Sequence, residues 1–236
     1  MLASISWSDA IKGFPGTALI NCLTVYLTKD WLTDEHEDQM LCLLECELTR
    51  LGRRKDDKTH IANTFFITRL IKIYKDPNRT NHYATTEGLA WLRKKGQEFG
   101  TGVLEKLVTI TNVNGNYWVV LEVDFKCSKT IYGDSLGEKI NQEIEMALTW
   151  WIHQHTAKHF TTGLLPITQQ RDDYSCRILA WNAIAMKIIP ENHSLMDNSQ
   201  AILADERLKI FLQVVERHNS KVRKKIAIVV SLTNYI

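Results

Sequence analysis

Residues 170–176 read Gln170-Arg171-Asp172-Asp173-Tyr174-Ser175-Cys176, and they place a cysteine just before a long apolar run at 178–189. This run predicts a buried helix with Cys176 at its N-terminus. The unpaired N–H groups and the positive end of the helix dipole are expected to lower the pKa of a thiol at that position. Gln170, six residues upstream, can turn an amide N–H toward an oxyanion beside the sulfur. The stretch therefore predicts a site built around a reactive cysteine.

A nucleophilic cysteine needs a base that takes its proton and a third group that orients the base. Asp134 is the candidate orienting acid, because it ends a predicted return strand in the sequence Tyr-Gly-Asp-Ser-Leu at 132–136. The neighbouring strand of that hairpin begins with Tyr117 and Trp118. The base is expected near Tyr117, and a histidine would be the usual residue for that role.

The hydrophobic pattern along the chain predicts an α+β domain. Residues 117–124 alternate and are rich in β-branched and aromatic side chains, which predicts a strand. Shorter strands are predicted at 108–111, 130–134 and 226–232. Helical spacing is predicted at 33–50, 89–98, 138–158 and 199–217, with 61–74 helical or mixed. The charged segment 52–60 and the polar segment 75–88 are predicted loops. Helices on both sides of a central hairpin are typical of the α+β class.

Composition sets outer limits on the kind of protein. The 236 residues, 44% of them apolar, are enough for one large domain over 1–236. A net charge of +2 is too small to indicate nucleic acid as the main partner. No apolar run approaches the ~20 residues that span a membrane. The five cysteines are odd in number and irregularly spaced, so we expect no disulfide framework and an intracellular location, nucleus or cytoplasm.

Four motifs in order resemble the ubiquitin-like-protein-specific (SUMO) cysteine proteases. They are Trp-Leu-Thr-Asp at 31–34, the strand Trp-Val-Val-Leu-Glu-Val-Asp at 118–124, Asp-Ser-Leu at 134–136, and a glutamine six residues before a cysteine at 170–176. The resemblance covers about residues 15–220. It implies a papain-like fold with a central mixed or antiparallel sheet flanked by helices.

The resemblance also implies a role for each matching residue. Cys176 would be the nucleophile, Asp134 the orienting acid and Gln170 the oxyanion donor. Trp31 and Trp118 would form the walls of a narrow tunnel for a Gly-Gly tail, since flat indole walls leave room only for residues without side chains. Asp34, in the first motif, and Arg177, next to the cysteine, are further candidate substrate-binding residues. The partner would be a SUMO-type protein, ubiquitin or one of their conjugates, and no cofactor or metal is expected.

The chain departs from the family pattern at two site positions. Tyr117 stands where the family has a histidine, and Arg177 stands where it has a glycine. A phenol with a pKa near 10 is a poor general base, and loss of the base of a catalytic triad costs on the order of 10⁴ to 10⁶ in rate. Arg177 is expected to favour the Cys176 thiolate, while its bulk crowds the site. The resemblance thus implies a ubiquitin-like-protein-specific cysteine peptidase that cleaves after a C-terminal Gly-Gly through the Cys176 thiolate and an acyl-enzyme, and Tyr117 at the base position predicts that it is weak or inactive.

Other interpretations remain open from the residues alone. Cys176 could be a buried structural cysteine, Asp134 a turn residue and Gln170 a surface amide, with Gln169 a rival for the oxyanion role. His82 is the one displaced histidine considered as a base. Two other functions stay open: a pseudoprotease that binds a ubiquitin-like protein without turnover, and an acyl transferase on a related fold.

Overall fold

The computed structural model describes residues 6–53, 58–115 and 117–233, with the backbone alone at 224–233. Its strands are β1 (Thr59–Ile61), β2 (Lys106–Val113), β3 (Tyr117–Asp124), β4 (Lys129–Gly133) and β5 (Thr161–Leu164). Its α-helices are α1 (Asp34–Arg50), α2 (Phe65–Tyr74), α3 (Arg79–Thr85), α4 (Ala90–Gly100), α5 (Gln142–His153), α6 (Cys176–Ile188) and α7 (Gln200–Thr233). Two 3-10 helices, Ile20–Leu27 and Glu87–Leu89, precede α1 and α4.

The five strands form one mixed sheet in the order β1-β2-β3-β4-β5. The β1–β2 and β4–β5 pairs are parallel, and β3 is antiparallel to both of its neighbours. In the β3–β4 register Val120 lies opposite Gly133. The start of β3 therefore lies beside the residues that follow β4, and this places Tyr117 next to Asp134.

Two apolar layers cover the faces of this sheet. Successive side chains of a strand point to opposite faces, and along β3 Val119, Leu121 and Val123 pack with α2, α4 and α5. Trp118 and Val120 pack on the other face with α1, α6, α7 and the first 3-10 helix. Since α6 begins at Cys176, its N-terminus meets the sheet at the first residues of β3.

The α+β class and the mixed sheet flanked by helices are confirmed. The strand predicted at 117–124 has the same bounds in β3. The predicted helix at 33–50 corresponds to α1, whose N-cap is Thr33. Within the described residues, no helix combines the length and apolar character that crossing a membrane requires.

Two predicted elements are wrong. The segment 75–88 contains the helix α3, because Tyr83 is buried and its hydroxyl accepts a hydrogen bond from Trp151 Nε1 at 2.9 Å. The predicted strand at 226–232 is the last part of α7. A short apolar run does not distinguish strand from helix, and extending an existing helix adds one hydrogen bond per residue with no new nucleation cost.

Two short strands were not predicted. β1 and β5 have three and four residues, too few for a clear alternation. The predicted charged loop at 52–60 overlaps β1 at Thr59 and His60, and its residues 54–57 lie outside the described part of the chain.

Candidate active site

Cys176 is the first residue of α6, and its thiol is buried against the start of β3. Burial, and to a smaller extent the buried Glu37, raise the pKa of this thiol to about 11. A backbone hydrogen bond to Trp118 and the charge of Arg177 act in the opposite direction but do not offset burial. The expected lowering of the pKa at the helix N-terminus is therefore wrong, because the helix brings the thiol out of water as well as into the field of its dipole.

Tyr117 and Asp134 meet as the sheet register requires. The Tyr117 hydroxyl donates a hydrogen bond of 2.5 Å to Asp134 Oδ1, and the backbone N–H of Leu136 donates to the same phenol oxygen at 2.8 Å. Burial and the hydrogen bond to Asp134 raise the pKa of Tyr117 above its ordinary value of 10. The residue at the expected base position is thus a proton donor bound to the acid.

The Asp134 carboxylate has further donors on both oxygens. Tyr132 donates its hydroxyl to Oδ2 at 3.0 Å, and the Leu136 N–H also reaches Oδ1 at 2.7 Å. Burial and the neighbouring carboxylate raise the pKa of Tyr132 as well. The donors described for Asp134 are two phenols and a backbone amide, where a catalytic triad would place an imidazole.

His82, the displaced histidine considered as a base, is bound elsewhere. Its Nδ1 pairs with the carboxylate of Asp76. It does not belong to the residues that line the cleft next to Tyr117. The structure therefore does not bring His82 to Cys176 or Asp134.

Gln170 is joined to the same network. Its Oε1 accepts a hydrogen bond of 2.9 Å from Ser135 Oγ, which lies 3.0 Å from the Tyr117 hydroxyl. Its Nε2 donates to the carbonyl of Asp172 at 2.9 Å. Gln169, the rival residue, donates to the Asp134 carbonyl at 3.4 Å. The oxyanion role of Gln170 stays a prediction, with one of its two N–H groups engaged by Asp172.

Arg177 covers Trp118. The guanidinium carbon lies 4.5 Å from the centre of the indole ring, Trp118 is 1% exposed, and the Arg177 side chain is 9% exposed. An Arg177 nitrogen lies 3.9 Å from Asp34 Oδ1 in the first turn of α1. Among the described residues, Arg177 Nε and Trp118 Nε1 have no hydrogen-bond partner.

Trp31 lies apart from this covered pair. It is 46% exposed and lines an open cleft of about 720 Å³ together with Tyr117, Asp134 and Gln170. Trp118, Cys176 and Arg177 do not line this cleft. Among the described residues, Trp31 and Trp118 therefore do not line one cleft, and the guanidinium of Arg177 lies beside the Trp118 ring.

Three residues of the site were missed from the sequence. Tyr132 and Ser135 could have been found from the sequence, because they lie two residues before and one residue after Asp134. Glu37 could not have been found in this way, because a carboxylate in the first turn of a helix is normally solvated. Here Glu37 is fully buried, burial raises its pKa well above the ordinary value, and the charge of Arg177 opposes this shift.

Several solved structures have this fold. The SUMO protease Ulp1 with its catalytic cysteine oxidised to a sulfinic acid is 19% identical over 91% of this chain and 90% of its own, with a TM-score of 0.64. The C-terminal Ulp1 protease domain in complex with SMT3, the yeast ortholog of SUMO, is 20% identical over 89% and 87%, with a TM-score of 0.61. The effector XopD of Xanthomonas campestris bound to ubiquitin is 17% identical over 77% and 92%, with a TM-score of 0.50.

Sequence comparison gives the family. No curated protein sequence matches the chain significantly. The sequence model of the Ulp1 protease family, C-terminal catalytic domain, matches residues 30–227, which include every site residue described above. The family suggested by the four motifs is thereby confirmed, and this chain belongs to the Ulp1 protease family of ubiquitin-like-protein-specific cysteine peptidase domains.

Proposed function

We propose that this domain binds a ubiquitin-like protein and does not cleave it. The observation that carries this proposal is the 2.5 Å hydrogen bond from the Tyr117 hydroxyl to Asp134. In a cysteine protease the residue at that position must accept the thiol proton and later deliver it to the leaving amine. Tyr117 has its own proton committed to Asp134 and does neither.

The Tyr117 phenol cannot act as a base at neutral pH. Its pKa is raised by burial and by the adjacent Asp134 carboxylate, so the phenolate that could act as a base is not populated. Asp134, which would stabilise an imidazolium in a triad, instead accepts hydrogen bonds from the neutral phenols of Tyr117 and Tyr132. Asp134 and Tyr117 therefore hydrogen-bond to each other, and neither has a proton-transfer function.

The thiol is also in its inactive form. A pKa of about 11 leaves Cys176 protonated at neutral pH, and the thiolate is the nucleophile in peptide cleavage and in acyl transfer alike. These observations disfavour both the active peptidase and the acyl transferase, because each requires a thiolate and a proton donor for the leaving group. Binding requires neither.

A binding role has support of its own. The half-exposed Trp31 and the open cleft beside it lie next to the residues that match the family motifs. Two proteins of the same fold are known in complexes, one with SMT3 and one with ubiquitin. By analogy we assign a SUMO-type protein, ubiquitin or a conjugate of either as the partner.

The proposal is tested with SUMO and ubiquitin in two assays. Isothermal titration measures binding of the unmodified proteins, and SUMO and ubiquitin carrying a C-terminal thiol-trapping group measure the reactivity of Cys176. We expect saturable binding of at least one protein and no labelling of the wild-type domain. Labelling that is lost in Cys176→Ala would contradict the inactive assignment, and absence of binding to either protein would contradict the binding assignment.

A matched variant tests the physical reason for inactivity. Tyr117→His together with Arg177→Gly restores an imidazole next to Asp134 and removes the guanidinium from Trp118. We expect this double variant to be labelled at least ~10²-fold faster than wild type, the lower range for a positioned acid–base group. Tyr117→His alone should gain less, because Arg177 still covers Trp118. No gain in a folded double variant would mean that the base position is not the cause of inactivity.

A further inference from the structure

The place that the family pattern reserves for a Gly-Gly tail is filled by a side chain of this protein. Arg177 lies against the Trp118 ring at 4.5 Å and is nine-tenths buried, while Cys176 below it is also buried. The open cleft stops at Tyr117 and Gln170 and includes none of these three residues. The guanidinium therefore occupies the face of Trp118 that the family pattern assigns to the tail.

Several charges hold Arg177 in this place. The face of an indole attracts a cation, Asp34 lies 3.9 Å away, and the carboxylates of Glu35 and Glu37 act on the same guanidinium. All three acidic residues lie in the first turn of α1. Arg177 thus joins the N-terminus of α1 to the start of β3.

Arg177 also acts on a buried acid. Glu37 is fully buried, its two carboxylate oxygens have no hydrogen-bond partner among the described residues, and burial raises its pKa well above the ordinary value, against the opposing charge of Arg177. Displacement of Arg177 would take the guanidinium away from Asp34 and from the Trp118 ring. Two glycines carry no cation that could replace it there.

The surface outside this blocked position remains available for docking. Trp31 and Leu136 expose large apolar areas at the cleft. The charged residues that line it in the described part of the chain are the acidic Asp134, Glu138, Asp172 and Asp173 and the basic Lys139. This cleft is suited to an apolar surface with basic groups on a folded partner. It does not depend on the Trp118 face that Arg177 covers.

From this geometry we infer that the domain recognises the folded body of a ubiquitin-like protein and not its C-terminal tail. The inference rests on the proposed function and specifies the form of the partner: precursors, mature proteins, conjugates and ubiquitin-like folds without Gly-Gly bind alike. Arg177 is the residue that decides this specificity. A protease of the same fold that accepts the tail would discriminate between these forms.

The test compares intact SUMO and ubiquitin with versions that lack the C-terminal Gly-Gly. For a partner that binds, the two dissociation constants should agree within twofold. A truncated protein that binds at least tenfold more weakly than the intact one would overturn the inference while leaving the proposed function in place. Failure of both forms to bind would overturn the proposed function, and the inference with it.

A variant of the domain gives a second readout. Arg177→Gly opens the tail position, so the intact partner should bind this variant at least tenfold more tightly than the truncated partner. Arg171→Gly, which removes an exposed arginine from the same segment, should keep the twofold agreement. Circular dichroism establishes that each variant is folded. If Arg177→Gly folds and still does not distinguish the two forms, Arg177 does not block the tail; if it does not fold, the wild-type comparison alone decides.

Discussion

Tyr117 brings one polar atom to a position where a catalytic base needs two, and this limits the chemistry available to the site. A catalytic imidazole donates to its orienting acid through one nitrogen and accepts the thiol proton at the other. A phenol has a single polar atom, which here donates to Asp134 and accepts from the Leu136 N–H. No second atom is left to face Cys176, so the connection between acid and thiol ends at Tyr117.

The reactivity of Cys176 can be predicted from its pKa. With a pKa of about 11, this thiol is ionised in roughly one molecule in three thousand at pH 7.5. We expect iodoacetamide to alkylate Cys176 far more slowly than the exposed Cys127 at this pH. The Cys176 rate should increase about tenfold per pH unit toward pH 10, as measured by peptide mass spectrometry. Equal rates for the two cysteines at pH 7.5 would show that the thiol is neither buried nor protonated.

At the scale of elements, the N-terminus of α6 is fixed by Asp172. Its Oδ1 accepts hydrogen bonds from the N–H groups of Tyr174 at 3.0 Å and Ser175 at 2.8 Å. Its Oδ2 accepts from Ser175 Oγ at 2.6 Å and from Gln200 Nε2, in the first residue of α7, at 3.0 Å. One carboxylate thus joins the starts of two helices and sets the position of Cys176.

Replacing this carboxylate should lower stability in a pH-dependent way. Burial raises the pKa of Asp172, but hydrogen bonds, first those from Ser175, outweigh it and hold the pKa below the ordinary 3.8. The stabilisation is therefore complete above about pH 3.8 and is lost as the pH falls through the lower folded-state pKa. Asp172→Asn should reduce the free energy of unfolding by about 1–2 kcal/mol at pH 7.

Urea unfolding at pH 7 measures this loss, and thermal unfolding between pH 3 and 5 follows its pH dependence. Asp173→Asn is the matched control, since Asp173 is exposed and makes none of the hydrogen bonds described for Asp172. The control should change stability by less than about 0.5 kcal/mol. Equal losses for the two variants would contradict the capping role, and an Asp172→Asn loss that is as large at pH 3 as at pH 5 would contradict the charge argument.

Elements with a local pattern could be predicted from the sequence, and contacts between distant elements could not. β3 follows from the alternation at 117–124, and α6 from the apolar run after Cys176. The helix α3 depends on Tyr83 meeting Trp151, far away in the chain. The place of Arg177 over Trp118 depends on α1 as well as β3. The same limit explains why the expected lowering of the Cys176 pKa is wrong, because the sequence indicates the helix dipole but not how deeply the thiol is buried.

At the scale of the whole molecule, the segment before residue 30 belongs to the core although the family match starts after it. The first 3-10 helix buries Ile20, Leu23 and Tyr26 against α1, α6 and α7. Arg207 of α7 donates hydrogen bonds to the carbonyls of Val25 at 2.6 Å and Asp30 at 2.8 Å. The chain that leads to Trp31 is therefore held by a helix from the other end of the sequence.

This arrangement predicts different effects for two leucines on one short helix. Leu23 is 1% exposed and Leu27 is 52% exposed. Leu23→Ala removes buried methyl groups and leaves a cavity, so the free energy of unfolding should decrease by about 2–5 kcal/mol. Leu27→Ala should change it by less than about 0.5 kcal/mol, and urea unfolding measures both. A Leu23→Ala loss as small as that of Leu27→Ala would mean that the segment before residue 30 is not part of the cooperative core, and the position of Trp31 would then not depend on α7.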